Sequence, residues 1–288
     1  MRSEDEMFAL ILGIAREDER IRAVYMNGSR TNPNVAKDKY RDYDIVYVVT
    51  ETSSFLEDKN WIGRFGEPAM VQEPDSNDLG FGMDADYSRS YGWLMLFQDG
   101  NRIDLHIQIK EVMLEEYTLD TLTIPLLDKD SLLPDIPPSN DSGYWIKKPA
   151  KSRYDGCCNE FWWCLNNVAK ALVRDQMPYA MRMYHETVHA ELDKMLEWYI
   201  GTRNDFKLSA GKWGKYFKKY LPEELYSLYE LTYSDCHSLW ESLSHACELF
   251  HTAAVSVAEK LSLEYNQGDE DNMLLYLKKL REEAFNKL

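Results

Sequence analysis

The chain has little with which to cross a membrane, cross-link itself or hold nucleic acid. No apolar run in its 288 residues approaches the ~18 needed to span a bilayer. Cysteine is scarce: there are five, two of them adjacent at Cys157 and Cys158, and none is spaced as CxxC. That excludes a disulfide framework or zinc knuckle and points to reduced thiols in a cytoplasmic protein. Basic residues are also short, with 33 Lys and Arg against 49 Asp and Glu, a net charge of −16. Such a surface repels phosphate backbones, so binding to DNA or RNA is disfavoured and a cationic small molecule is favoured. The deficit is uneven: residues 1–140 hold 14 basic against 27 acidic side chains, residues 141–288 hold 19 against 22. Internal repeats and low-complexity tracts are absent as well. The opening, MRSEDEMFALILGIAREDER, puts acids ahead of a short apolar stretch, which is the pattern of neither a signal nor a transit peptide.

What is present is a folded protein with two unlike halves. Hydrophobic residues make up 44% and aromatics 13%, ample for a core in each of two domains. In the first half, Met7, Leu10, Ile11 and Ile14 recur at helical spacing, and IRAVYM and DIVYVV read as strands. YGWLMLF, QDGN and RIDLHIQI read as a hairpin about an Asp-Gly turn. The stretch LLPDIPPSNDSGYW from Leu132 reads as a linker. Beyond it the stripes Cys157, Phe161, Leu165, Val168, Leu172 and Tyr184, Val188, Leu192, Met195, Tyr199 predict a helical bundle. The expectation is an α+β chain: a mixed-sheet domain over residues 1–138, then a bundle over 139–288, as monomer or homodimer.

Within MNGSRTNPNVAKDKYRDYDIVYVV, residues 26–49, chemistry shows. A strand puts residues i and i+2 on one face, so Asp42 and Asp44 project together while Ile45, Tyr47 and Val49 face a core. Two close carboxylates repel unless a cation sits between them, and Mg²⁺ accepts one or two carboxylates plus phosphate oxygens. In RIDLHIQI, the alternation sets Asp104 on the open face with His106 and Gln108, a third acid if this strand pairs beside the first. Gly28 permits a sharp turn and close backbone approach, and the Ser29 hydroxyl and Arg30 guanidinium suit phosphate oxygens. Phosphate grip beside metal-binding carboxylates describes phosphoryl or nucleotidyl transfer with two metals.

This ordered set resembles the signature of the polymerase-β-like nucleotidyltransferase superfamily. The longer phrases GSRTN, DYDIVYVVT, DGNRIDLHI, LLDKD, YWIKKP and CCNEFWW, spread over both halves, resemble the aminoglycoside 6-adenylyltransferases that inactivate streptomycin. The resemblance implies ATP, Mg²⁺ and transfer of AMP to a streptomycin hydroxyl with release of pyrophosphate. Asp42 and Asp44 would bind the metals, and Asp104 would either ligate the catalytic metal or take the proton of the attacking hydroxyl. Gly28, Ser29 and Arg30 would hold the β- and γ-phosphates. Relatives of this kind use lysines of the helical domain on the nucleotide, which points to Lys212 and then Lys215; a solvated helix face is the alternative. Glu160, Trp163 and Asn167 share the polar face of the first bundle helix, where a carboxylate beside an indole ring suits the drug's guanidinium.

Two other readings compete. HETVH, residues 185–189, matches the zinc-protease pattern HExxH, with His185 and His189 as ligands and Glu186 as base. It lacks a third ligand nearby and leaves the aspartates unexplained, so these histidines are expected to be bundle or cleft residues. A nucleotidyltransferase fold acting on another acceptor, or decayed to an antitoxin or binding module, is the other; the retention of all three acids argues against decay.

Overall fold

The computed structural model describes residues 1–233 and 238–285, which form two compact units, Met1–Gly143 and Tyr144–Leu288. In the first unit, helix α1 (Glu4–Glu17) starts at a capping box in which Ser3 and Glu6 satisfy each other's backbone N–H groups. Strands β1 (Ile21–Asn27) and β2 (Tyr43–Val49) follow, joined through a 3₁₀ turn at Ser29–Thr31. Then come α2 (Ser53–Glu57), β3 (Pro68–Gln72), α3 (Pro74–Gly80), β4 (Ser90–Phe97), β5 (Arg102–Ile109), α4 (Lys110–Glu116) and β6 (Ile124–Asp128). The sheet runs β3-β4-β5-β2-β1-β6; β2 and β5 are parallel and the other neighbours antiparallel. The β4–β5 hairpin closes at Gly100, whose φ of 81° only glycine adopts freely.

One face of this sheet carries Tyr43, Ile45, Tyr47 and Val49 of β2 with Ile103, Leu105 and Ile107 of β5, packed under Met7 and Ile11 of α1. On the opposite face, Ala23, Tyr25, Val46 and Val48 meet Met113 and Tyr117 at one end. Gln108 lies under that cover and not on open surface as its alternation with Asp104 suggested. It is 3% exposed, and its Nε2 donates to the Tyr25 hydroxyl at 2.6 Å. The proline-rich stretch is likewise no free linker. Leu132, Leu133 and Ile136 pack on the same cover, Ser139 bonds Thr31 at 3.0 Å, and Asn34 donates to Asp141 at 3.0 Å. The chain therefore belongs to the first unit as far as Gly143.

The second unit is helical: α5 (Lys151–Val173), α6 (Met177–Met183), α7 (His189–Gly201), α8 (Phe217–Tyr220), α9 (Glu223–Thr232), α10 (Leu239–Leu261) and α11 (Gln267–Phe285). The stripe Cys157, Phe161, Leu165 and Val168 is buried, with Phe161 stacked on Phe250 of α10 at 3.8 Å. Tyr154 ties α5 to α10 by donating to the Ala254 carbonyl at 2.9 Å. Cys157, Cys158, Cys164 and Cys247 are buried free thiols; the fifth, Cys236, lies outside the described residues. Among the described residues no helix is long and apolar enough to cross a membrane.

Candidate active site

The end of the sheet where β2 and β5 begin gathers three acids, Asp42, Asp44 and Asp104. Parallel pairing of β2 with β5 sets Asp104 directly across from Asp44, and on the other side Asn27 at the end of β1 faces Asp44. Asp42 precedes β2 by one residue. Gly28 closes the group from above. It has φ 78°, and a Cβ there would lie 2.1 Å from Asp44 Oδ2, so only glycine lets the turn rest against that carboxylate. Thr31 holds the turn by donating both its N–H, at 3.1 Å, and its hydroxyl, at 2.9 Å, to the Gly28 carbonyl. Among the described residues the Ser29 hydroxyl makes no hydrogen bond, which leaves it available at the lip of the group.

Electrostatics separate the three acids. Burial, then the neighbouring Asp104 and Asp42, push the Asp44 carboxyl up to about 6. Asp42 is also raised, chiefly by burial, with Arg102 partly opposing. Asp104 is held by Arg102, whose Nε and Nη2 donate to its two oxygens at 2.6 and 2.7 Å. Arg102 Nη1 also lies 3.7 Å from Asp42 Oδ2. Arg102 is thus the cation among these carboxylates, and sequence reading missed it although RID places it on the same face as Asp104 by the period of two.

That guanidinium bears on the metal assignment. Among the described residues no group of three or more His, Cys, Asp or Glu side chains is arranged to hold a metal ion, and here both Asp104 oxygens already serve Arg102. Asp42 and Asp44 nonetheless suit Mg²⁺, which takes hard oxygen donors and needs few protein carboxylates when phosphates supply the rest. Each Asp104 oxygen keeps a further lone pair, so Arg102 competes with a metal or a proton for Asp104 without excluding either.

Arg30 is elsewhere. Its guanidinium lies 3.7 Å over the ring of Tyr43, on the sheet face opposite Asp44, and pairs with Glu4 at 2.7 Å. It donates to the carbonyls of Arg41 at 2.5 Å and Asp42 at 3.3 Å. These bonds make it a brace of the loop that delivers Asp42, and the assignment of its side chain to phosphates is corrected.

In the second unit the structure splits the residues expected to meet substrate. Trp163 is 64% exposed and lines a cavity of about 390 Å³ with Asn159, Asn166, Asp269, Asn272 and Tyr276. Glu160 and Asn167, its partners by helical spacing, do not line that cavity; Glu160 is exposed and accepts from Cys164 Sγ at 3.4 Å. Lys212 and Lys215 stand exposed on a 3₁₀ turn, not on a helix face. Lys212 Nζ sits 4.5 Å over Trp213, which is 85% exposed.

The HETVH segment forms a π-helical turn, Tyr184–Val188, running into α7. His189 is buried, with Nε2 2.9 Å from Thr232 Oγ1 and Nδ1 3.4 Å from Asp193. Glu186 points away and pairs with Arg182 at 2.8 Å. Both His189 nitrogens are taken and the would-be base is neutralised, so this motif serves packing.

Asp44 and Asp104 thus lie side by side on paired strands, with Asp42 just before β2 and Gly28 against Asp44. The family model for streptomycin adenylyltransferase matches residues 1–280. The chain belongs to that family. Aminoglycoside 6-adenylyltransferases of Bacillus subtilis and Campylobacter jejuni are 38% and 37% identical to it, each aligned over 94% of this chain and 95% and 93% of their own lengths. One of Staphylococcus aureus is 34% identical over 87% of this chain and 89% of its own. A crystal structure of an aminoglycoside 6-adenyltransferase from Bacillus subtilis aligns over 98% of this chain and 99% of its own, at 31% identity and a TM-score of 0.47. As a streptomycin adenylyltransferase family member the chain is an enzyme, a nucleotidyltransferase.

Proposed function

We propose that this enzyme transfers AMP from ATP to a hydroxyl of an aminoglycoside, the 6-hydroxyl of streptomycin, releasing pyrophosphate, in the cytoplasm and as a resistance activity. The observation that carries the reading is the open end of the sheet, where Asp42, Asp44 and Asp104 share one face beneath Gly28. Asp42 and Asp44 would hold Mg²⁺, which when bound supplies positive charge to the phosphate oxygens as pyrophosphate leaves.

The chain's own groups account for the rest. The Gly28 turn lets phosphate oxygens approach backbone and the Ser29 hydroxyl without a side chain intervening. Arg102 competes for Asp104, which serves as a further ligand or accepts the proton of the attacking hydroxyl. Lys212 and Lys215, exposed and without an ion pair among the described residues, are the proposed cations for the triphosphate. Trp163 and the carboxylate of Glu160 are the proposed contacts for drug guanidiniums, with Asn167 beside them. The acidity of residues 1–140 supports attraction of a polycation over a neutral acceptor.

The test is incubation of the enzyme with ATP, Mg²⁺ and a panel of aminoglycosides and neutral polyols, read by mass spectrometry and pyrophosphate release. Streptomycin plus one AMP is expected, with one pyrophosphate per adduct. An adduct on a neutral acceptor with none on streptomycin would refute the substrate and leave only nucleotidyl transfer.

A further inference from the structure

On the sheet face opposite Asp44, the start of α1 and the loop before β2 enclose a cavity of about 470 Å³. Its lining includes Arg2, Arg30, Lys37, Lys39 and Arg41, against only Glu4 and Asp38. So basic a pocket is out of character for residues 1–140, with 14 basic and 27 acidic side chains. Arg2 is answered by Asp99 at 2.9 Å. Arg30 and Arg41 are both buried, their side chains 5% and 6% exposed, and Glu4 is the one carboxylate either pairs with among the described residues. Arg30 takes Glu4 at 2.7 Å, which leaves Arg41 Nη2 3.9 Å from the same oxygen. The one hydrogen bond of the Arg41 guanidinium among the described residues is a long one, 3.4 Å to the Arg30 carbonyl. Its Nε–H is buried with no partner at all.

A buried guanidinium with most of its donors idle is costly unless something negative meets it. We propose that this cavity is a binding site for a phosphate-class oxyanion, held by Arg41 with Lys37 and Lys39 and separate from the aspartate site. The one aromatic ring in the lining, Tyr43, is already covered by Arg30 at 3.7 Å. No platform remains for a base, so the ligand is the compact anion, inorganic phosphate or pyrophosphate, and not a nucleotide held by its base. The site has a route to function: Arg30 and Arg41 brace the loop whose next residue is Asp42, through Arg30 Nε on the Asp42 carbonyl. An anion seated there stiffens the segment that delivers that carboxylate.

Calorimetric titration of the full chain with inorganic phosphate, without ATP or Mg²⁺ and at low salt, tests this. One saturable site is expected, weakened at least ~ten-fold in the double variant Lys37→Ala/Lys39→Ala, since charge-assisted contacts carry it. Arg41→Gln should remove binding while circular dichroism shows a folded chain, and Asp44→Asn should change affinity less than ~two-fold. Pyrophosphate titrated in parallel decides which of the two anions the cavity prefers. No saturable binding, or binding that survives the double lysine variant and is lost in Asp44→Asn, overturns the proposal.

Discussion

Strand β2 carries Asp44 at one end and Val46 and Val48 at the other, all on one face of the sheet, yet the two ends live in different solvents. Val48 is fully buried beneath Met113 and Tyr117, whereas Asp44 is only partly buried, beside Asp104 and against the Gly28 turn. The neighbouring strand repeats the contrast, with Asp104 at the open end and Gln108 at the covered one, where its amide finds the Tyr25 hydroxyl. A strand's period assigns a face; what lies over that face decides whether the residue does chemistry or packs. The cover here comes from α4, Tyr117 and the stretch Leu132–Ile136, and it stops short of the acids.

The most severe way to break the contrast is to move a carboxylate to the covered end. Val48→Asp should cost about 3–5 kcal/mol, an unpaired charge in an apolar cluster, and urea unfolding should show a largely unfolded chain. Next in size, Asp44→Asn should lower AMP transfer on the order of a thousand-fold with the fold retained, in steady-state turnover with Mg²⁺. Near wild-type turnover would remove Asp44 from the site.

The same variant sharpens the comparison through pH. Because the folded carboxyl titrates at about 6, against an ordinary 3.8, the folded state keeps a proton that the unfolded chain has already lost. Stability due to the protonated Asp44 is therefore complete below about pH 4 and lost as pH rises through about 6, a penalty of up to about 3 kcal/mol. Asp44→Asn should be more stable than the parent at pH 7 and match it at pH 3.5; a gain independent of pH would contradict the assigned cause. At the covered end, Gln108→Leu should cost about 1–2 kcal/mol by stranding the Tyr25 hydroxyl, measurable by thermal unfolding and with turnover little changed. The smallest effect is expected from Arg102→Met, which frees Asp104. Mg²⁺ affinity by calorimetry should tighten by a few-fold, and a weaker Mg²⁺ affinity would show that Arg102 does not compete for that carboxylate.

Much of this was legible in the sequence because alternation is a local signal. Tyr43, Asp44, Ile45, Val46 and Tyr47 announce their faces without knowledge of neighbours, and QDGN announces its hairpin. Less visible was anything that depends on which distant segment arrives. The parallel pairing of β2 with β5 joins strands that β3, β4 and two short helices separate, and only that pairing puts Asp104 opposite Asp44. Arg30 shows the limit most plainly. Its place beside Gly-Ser suggested phosphate binding, but the Tyr43 ring and the Glu4 carboxylate on the other face offer its guanidinium more than solvent does. Gln108 and the Leu132–Ile136 stretch misled for the same reason, since the cover that buries one is partly made by the other. Helical spacing grouped Glu160, Trp163 and Asn167, but the cavity beside Trp163 is completed by residues of α11 that no pattern within α5 could name.

The contact between Gly28 and Asp44 gives this site a direction in which it can decay. With Asp44 in place, any side chain at position 28 strikes its carboxylate, so a lineage cannot first change the glycine and afterwards the acid. If Asp44 is lost first, the collision disappears, but position 28 is still held by its backbone, whose φ of 78° and ψ of −161° only glycine adopts readily. Descendants released from catalysis should therefore be found with the glycine and without the aspartate, and seldom the reverse. Reintroducing Asp44 into such a descendant would restore a carboxylate only where the glycine has survived, so residue 28 records whether the lost chemistry is still recoverable.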